Sequence, residues 1–401
     1  MNELMKGFPS PPEFQVALGN WRKPPFNKWS FQHVREIIPS AEISNDPENV
    51  RELPSAPHDF ANLSIEAESG ANGLNAFLRA TDTDSLVVMR GGKIVYEFYD
   101  NGMARETPHI LMSVSKSVLG LIVGILVERG ELELDALVTR WIPEVGKTAY
   151  AGATLRDLID MRVGILFDED YLVSAGPIIE YRKAQNWDPL APGETPSDLR
   201  SFFPSLVETD GAHKGRFHYV SPNTDLMGWV VERATGEHYA DLVSQLLWRP
   251  MGAARSAYIT VDRLGAPRCA GGFCATTRDL ARLGLLVGEG GRYAGKQIVP
   301  LSWIEDILTE GDAEAWDVGD FVKYFPRMSI HYRSKWYVLR GSAPMTFAVG
   351  VFGQNLFVDQ KNQIVIAKFS SQALPMDEKR ILQTMRGVEA IRSHLLASQD
   401  A

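Results

Sequence analysis

The chain has 401 residues, 45% hydrophobic and 23% charged, with a formal net charge of −9 and a pI near 5.5. That length suits one large domain or two or three smaller units, and it can bury a core without staples. The acidity disfavours nucleic acid and anionic membrane surfaces as partners, and two cysteines make no disulfide framework. Cys269 and Cys274 are expected to be two buried thiols, with a bridge as the weaker alternative. The N-terminal stretch from Met1 to Pro9 has no charged start followed by an apolar segment, so no export signal is expected and the cytoplasm is the predicted compartment. The longest apolar run, Val118 to Val127, is about half of what a bilayer span needs.

Residues 1–60, rich in Pro and Asn, read as an irregular arm lying on the body. Ser85 to Tyr99 reads as a hairpin around Gly91-Gly92, a tight-turn dipeptide. Ser113 to Glu128 is the strongest helix; apolar residues fill nearly every side of it, so it should be buried all round, and Gly130 offers a stop. Thr154 to Met161, Thr224 to Thr235 and Arg278 to Gly288 read as further helices. Residues 165–215 show little periodicity, and a loop region that long inside a compact domain is usually functional. Phe347 to Val358 and Gln363 to Phe369 read as strands, and Lys379 to Leu396 closes the chain as a helix. Strands, a helical middle, then strands and a helix predict an α/β (α+β) fold: an antiparallel sheet flanked by helices, with a mainly helical subdomain inserted. The expected division is residues 1–110 and 275–401 for the sheet subdomain and 111–274 for the helical one, within a single catalytic unit.

The chemistry centres on Ser113-Val114-Ser115-Lys116, which opens the buried helix. Positions i and i+3 share a helix face, so Lys116 sits one turn above Ser113. A serine at a helix N-terminus also has free backbone N–H groups beside it, suited to a developing oxyanion. Serine needs a base, and lysine serves as one only if burial or another cation lowers its pKa. Taken alone, the motif is equally satisfied by a capping serine and a solvent-facing lysine. Tyr219, on a turn before a helix, is a second candidate: a lysine ammonium could stabilise its phenolate. The bland reading is a core tyrosine.

Ser113-Val114-Ser115-Lys116-Ser117, Tyr219-x-Ser221 and the Val-Gly-Val-Phe-Gly-Gln-Asn-Leu-Phe-Val-Asp run at 349–359 resemble, in that order, the class C β-lactamases and related esterases of the serine β-lactamase-like (penicillin-recognising) fold. The similarity is closer to the 6-aminohexanoate-dimer hydrolases. It is carried by the segment from Trp21 to Trp29, by His109-Ile110-Leu111-Met112, by Asp168-Glu169-Asp170-Tyr171 and by Asn223-Thr224-Asp225, over nearly the whole chain.

The resemblance implies a serine hydrolase cleaving small carboxylic esters, with amides as a second substrate class. Ser113 would be acylated, with Lys116 and Tyr219 moving its proton to the leaving group. The backbone N–H groups of Ser113 and Val351 would hold the oxyanion. Tyr171 would hydrogen-bond the leaving group and Trp187 would line the cleft, with Ser221 and Gly350 also against the substrate. No metal or organic cofactor is implied. The partner would be a small-molecule ester or amide, and a homodimer is left open.

Four departures bear on specificity. Where β-lactamases of this family have Lys-Thr-Gly or His-Thr-Gly, this chain has Ala348-Val349-Gly350, and Ser221 replaces the usual asparagine. Both argue against β-lactams and peptidoglycan. In the oligoamide hydrolases an acidic side chain pairs with the substrate ammonium; the matching position here reads Arg182, with Glu180 two residues away, and a second position, usually asparagine, reads Ala270. An arginine repels an ammonium and attracts a carboxylate, although a solvated loop charge would explain Arg182 equally well. Esterase activity is therefore the first expectation, linear-amide hydrolysis the second, and a non-catalytic binding homologue the third. His109 and His218 are expected to be structural.

Overall fold

Alternation within Leu86-Val87-Val88-Met89 decides which way each side chain faces, because successive residues of a strand point to opposite sides. Leu86 and Val88 pack with Phe347, Phe357, Ile364 and Ile366 against the helices Leu74–Ala80 and Glu378–Ala397. Val87 and Met89 pack with Leu356, Val358, Val365 and Ala367 against the helices Val114–Glu128 and Thr277–Gly288. Helices therefore cover both faces of one sheet.

The computed structural model describes residues 3–65, 70 and 72–397. Met1 and Asn2, the first residues of the stretch read for an export signal, lie outside the described residues. In chain order the strands are β1 (Ser40–Ile43), β2 (Thr83–Arg90), β3 (Lys93–Tyr99), β4 (His109–Ile110), β5 (Ala257–Thr260), β6 (Phe273–Ala275), β7 (Arg292–Tyr293), β8 (Lys296–Gln297), β9 (Ile330–Arg333), β10 (Trp336–Leu339), β11 (Met345–Gly350), β12 (Gln354–Asp359) and β13 (Ile364–Ser370). The large sheet runs β3-β2-β13-β12-β11-β10-β9 and is antiparallel throughout. It joins the two ends of the chain, as the sequence pattern predicts. Between them, residues 111–256 carry no strand longer than an isolated bridge among the described residues.

The Gly91-Gly92 turn takes φ of 53° and 74°, the left-handed pair that a two-residue hairpin needs. The helix of Thr224 begins two residues earlier than expected, at Pro222, because proline is tolerated in a first turn. Phe347 to Val358 is not one strand. It folds back on itself at Val351–Gly353, where Phe352 takes φ 64°, so β11 and β12 pair with each other. Gly350, Gly353 and the Gln354-Asn355 that follows mark that turn, but they lie inside a run read as one strand.

The arm is more integrated than its composition suggests. Its Ser40–Ile43 becomes the edge of a second sheet, β1-β5-β6-β4, and Trp21 and Phe31 are fully buried. Asn27 Nδ2 donates to the Gln372 carbonyl at 2.9 Å, and Phe31 accepts from the Ile110 N–H at 2.9 Å. The arm is thereby tied to both segments that border Ser113.

Candidate active site

Ser113 sits at the N-cap of helix Val114–Glu128, whose residues Val114 to Leu126 are all buried. Just before it, Met112 takes φ 47°, a left-handed conformation that a side chain this bulky rarely adopts. Such strain persists only where the surroundings over-determine it. Here they do: Leu111 N–H donates to the Phe273 carbonyl at 2.8 Å, and Ser115 Oγ bridges the Met112 carbonyl at 2.6 Å and the Phe273 N–H at 3.1 Å. The small sheet thus aims the serine.

Lys116 rises one turn along the helix. Its Nζ lies 2.7 Å from Ser113 Oγ and donates to the Ala270 carbonyl, also at 2.7 Å. Its side chain is buried, not solvent-facing. Burial pushes its pKa down to about 7, Glu169 opposes that shift, and Arg268 adds to it. Tyr219 is buried too, stacked on Phe321 at 4.2 Å between ring centres, and the Ser113 side chain beside its hydroxyl works to lower its pKa. Lys116 Nζ stands 4.9 Å from the centre of the Tyr219 ring. Burial and then the Glu169 carboxylate drive the phenol well above its ordinary range. This runs against the expected phenolate: the phenol stays neutral at neutral pH, while the amine is poised between its charged and neutral forms.

Asp225 and Glu169 support this centre, and neither was assigned a role from sequence. Asp225 Oδ1 accepts the Ala270 N–H at 2.8 Å, and Oδ2 accepts from Tyr181 at 2.5 Å and from Arg268 Nη1. Glu169 accepts from the Ser221 N–H at 2.5 Å and from the Tyr171 hydroxyl at 3.0 Å. Both acids lie within the segments that carried the family resemblance, but the spacing of acids in a sequence does not tell which of them turn inward.

A cavity of about 710 Å³ opens over Ser113. Tyr171, Arg182, Trp187, Ser221, Ala270 and Val351 all line it; Gly350 instead lies behind the serine. A Cβ on Gly350 would lie 2.6 Å from the Leu111 carbonyl oxygen and 3.0 Å from the Ser113 nitrogen, so only glycine lets β11 approach so closely. Trp187 meets Trp21 edge to face at 5.1 Å and is flanked by the guanidinium groups of Arg22 and Arg268. Arg182 is buried, which overturns the solvated-loop alternative. Glu180 is exposed and paired with Lys183, away from the cavity lining. His218 is held by Asp320 at 2.6 Å and by the Ile165 carbonyl at 3.0 Å. Both cysteines are free and buried.

A half-buried serine at a helix N-terminus, whose Oγ meets a buried lysine of lowered pKa beside a buried tyrosine, defines a serine hydrolase. Residues 75–388 match the family described as beta-lactamase. The chain belongs to that beta-lactamase family. It is 33% identical over 364 residues to a 6-aminohexanoate-dimer hydrolase of Paenarthrobacter ureafaciens, covering 91% of this chain and 90% of that protein. Similarity to esterase EstB of Burkholderia gladioli is 29% over 228 residues, 52% of this chain and 57% of the esterase. Among solved structures, a Bacillus anthracis protein described as a candidate 6-aminohexanoate-dimer hydrolase superposes with a TM-score of 0.86 at 28% identity, over 96% of this chain and 99% of that one. No helix among the described residues is long and apolar enough to cross a membrane.

Proposed function

We propose that the protein hydrolyses small carboxylic esters through an acyl-enzyme on Ser113. The observation that carries this reading is Lys116 Nζ 2.7 Å from Ser113 Oγ, with an amine pKa near 7. At neutral pH a large share of Lys116 is unprotonated and able to take the Ser113 proton as Oγ bonds to the carbonyl carbon. The Ser113 and Val351 N–H groups receive the oxyanion; the proximity of β11 to the serine nitrogen supports that role. Tyr219, protonated, gives its proton to the leaving oxygen as the C–O bond breaks, and recovers one from the Lys116 ammonium. Water then attacks the acyl carbon, returns a proton through the same groups and releases the acid. Tyr171 and Trp187 form the cleft wall on which the leaving group rests.

A second reading, hydrolysis of a linear amide, draws on the Paenarthrobacter relative. Against 6-aminohexanoate oligomers stands the buried Arg182, which repels a substrate ammonium placed beside it. A cytoplasmic location belongs to the same proposal and is supported by the two unpaired thiols. The decisive experiment sets 4-nitrophenyl acetate and butyrate beside the linear 6-aminohexanoate dimer, with Ser113→Ala as control. Ester cleavage that Ser113→Ala abolishes, without dimer cleavage, is the expected result. Comparable cleavage of the dimer would favour the amide reading. Failure of the folded protein to react with either substrate or with a fluorophosphonate probe would leave only a binding homologue.

A further inference from the structure

Five cationic and two anionic side chains line the cavity over Ser113. Most of the cations are already matched. Arg22 pairs with Asp188, Lys183 with Glu180 and Glu194, and Arg268 with Asp225. Lys23 lies at the exposed rim. Arg182 differs: it is buried, its guanidinium donates to the Tyr171 carbonyl at 2.9 Å, and none of the ion pairs among the described residues includes it. One turn further along the same helix face stands Gln185, 1% exposed and also lining the cavity. Neither its amide nitrogen nor its amide oxygen meets a partner. Leaving a buried polar atom unpaired costs about 1–3 kcal/mol, and a buried, unpaired charge costs more. Two such neighbours facing one cavity point to a ligand that completes them.

We propose that Arg182 and Gln185 form an anchor for a substrate carboxylate, so that the enzyme selects small esters or amides bearing a carboxylate remote from the scissile bond. A carboxylate accepts two parallel N–H bonds from a guanidinium and has lone pairs left for the Gln185 amide. The crowding of guanidinium groups adds to the attraction. Burial lowers the Arg22 pKa to about 10, Asp188 opposes that, and Arg182 and Arg268 push it further down. The inference rests on the Ser113 reading for turnover but not for binding.

The test compares mono-4-nitrophenyl adipate with 4-nitrophenyl hexanoate, and 4-acetoxybenzoate with phenyl acetate, each corrected for spontaneous hydrolysis. The first pair places the carboxylate on the acyl side, the second on the leaving side. In at least one pair the wild type should prefer the anion by about ten-fold or more in kcat/KM, and Arg182→Gln should bring that ratio to within about two-fold of unity. Gln185→Leu, which removes groups without partners in the fold, should lower the ratio in the same direction and serves if Arg182→Gln does not fold. Ratios that both variants leave at the wild-type value would overturn the proposal. Calorimetric titration with adipate separates the two readings. Binding to wild type and to Ser113→Ala that Arg182→Gln weakens about ten-fold or more supports the anchor even if no ester is cleaved. Equal affinity with and without Arg182, or none at all, overturns it.

Discussion

Lys116 Nζ is held by the Ala270 carbonyl at the same 2.7 Å that separates it from Ser113 Oγ. The two contacts do different work. The carbonyl fixes the amine in place through either protonation state, and the serine supplies the proton it exchanges. Because Ala270 N–H is in turn fixed by Asp225, the base is positioned by a backbone that a buried carboxylate clamps.

The pH dependence of turnover follows from the amine. With Lys116 at about 7, the active unprotonated form is scarce at pH 6 and dominant at pH 8. The rate should climb through an apparent pKa near 7 and stay level to about pH 10, since burial and Glu169 hold the Tyr219 phenol above its ordinary range. A pH–rate profile of 4-nitrophenyl acetate hydrolysis checks this. A profile already level from pH 6 would contradict it.

The same shift weighs on stability. Between about pH 7 and 10.5 the unfolded chain keeps the Lys116 proton and the folded chain does not, so this group makes stability rise with pH across that window. Below it the full cost of burying the lysine remains. Lys116→Met removes a cost of order a few kcal/mol at pH 7 and strands one carbonyl, a loss of about 1–3 kcal/mol. The variant should have lost turnover by about a hundred-fold or more. It should also melt a few degrees higher at pH 7, the difference shrinking toward pH 10. Calorimetric melts at both pH values decide it; a wild type more stable than the variant at pH 7 would refute the burial cost.

Glu169 opposes the depression of Lys116 and raises Tyr219. Glu169→Gln keeps an oxygen to accept the Ser221 N–H, turns the other contact into one that the Tyr171 hydroxyl accepts, and deletes the charge. Its acid limb should therefore move to lower pH, by roughly half a unit or more. An unmoved midpoint would separate Glu169 electrostatically from the base.

How much of this was legible in sequence differs by residue. Ser113 and Lys116 could be placed because an i, i+3 pair on an unbroken apolar helix has one geometry. The hairpin at Gly91-Gly92 was readable for a similar reason: the turn chemistry is local. Glu169, Asp225 and Arg268 were not assigned roles, since what makes them functional is contact between segments up to about a hundred residues apart. The break at Phe352 was missed because its signal, Gly350 and Gly353 followed by Gln354-Asn355, is short and set between two apolar stretches, and Phe352 itself has no left-handed preference. Trp21 and Arg22 read as part of an irregular arm lying on the body; only the tertiary structure sets them against Trp187.

Asp225 is buried and shares Arg268 with Tyr181. Removing one partner of a buried ion pair leaves an uncompensated charge, a loss of about 3–5 kcal/mol. Asp225→Ala should therefore destabilise by that order in urea unfolding and free the Ala270 loop, lowering turnover as well. Arg268→Met in the same background should restore part of the stability but not the turnover. If the double variant is no more stable than Asp225→Ala, the stranded charge is not the cause.

Gly350→Ala tests the approach of β11 to the nucleophile. The added methyl meets two backbone atoms, the Leu111 oxygen at 2.6 Å and the Ser113 nitrogen at 3.0 Å, neither of which can rotate away. The strand and the serine must separate by several tenths of an ångström, and with them the two N–H groups proposed to share the oxyanion. A displacement of that kind costs up to about a hundred-fold in rate. The loss should fall mainly on kcat, because the oxyanion forms only in the transition state, while the apolar and cationic walls of the cavity stay where they are. Steady-state kinetics with 4-nitrophenyl acetate, beside a urea melt to confirm folding, measures the split. A folded Gly350→Ala protein with wild-type kcat would remove Val351 from the oxyanion site.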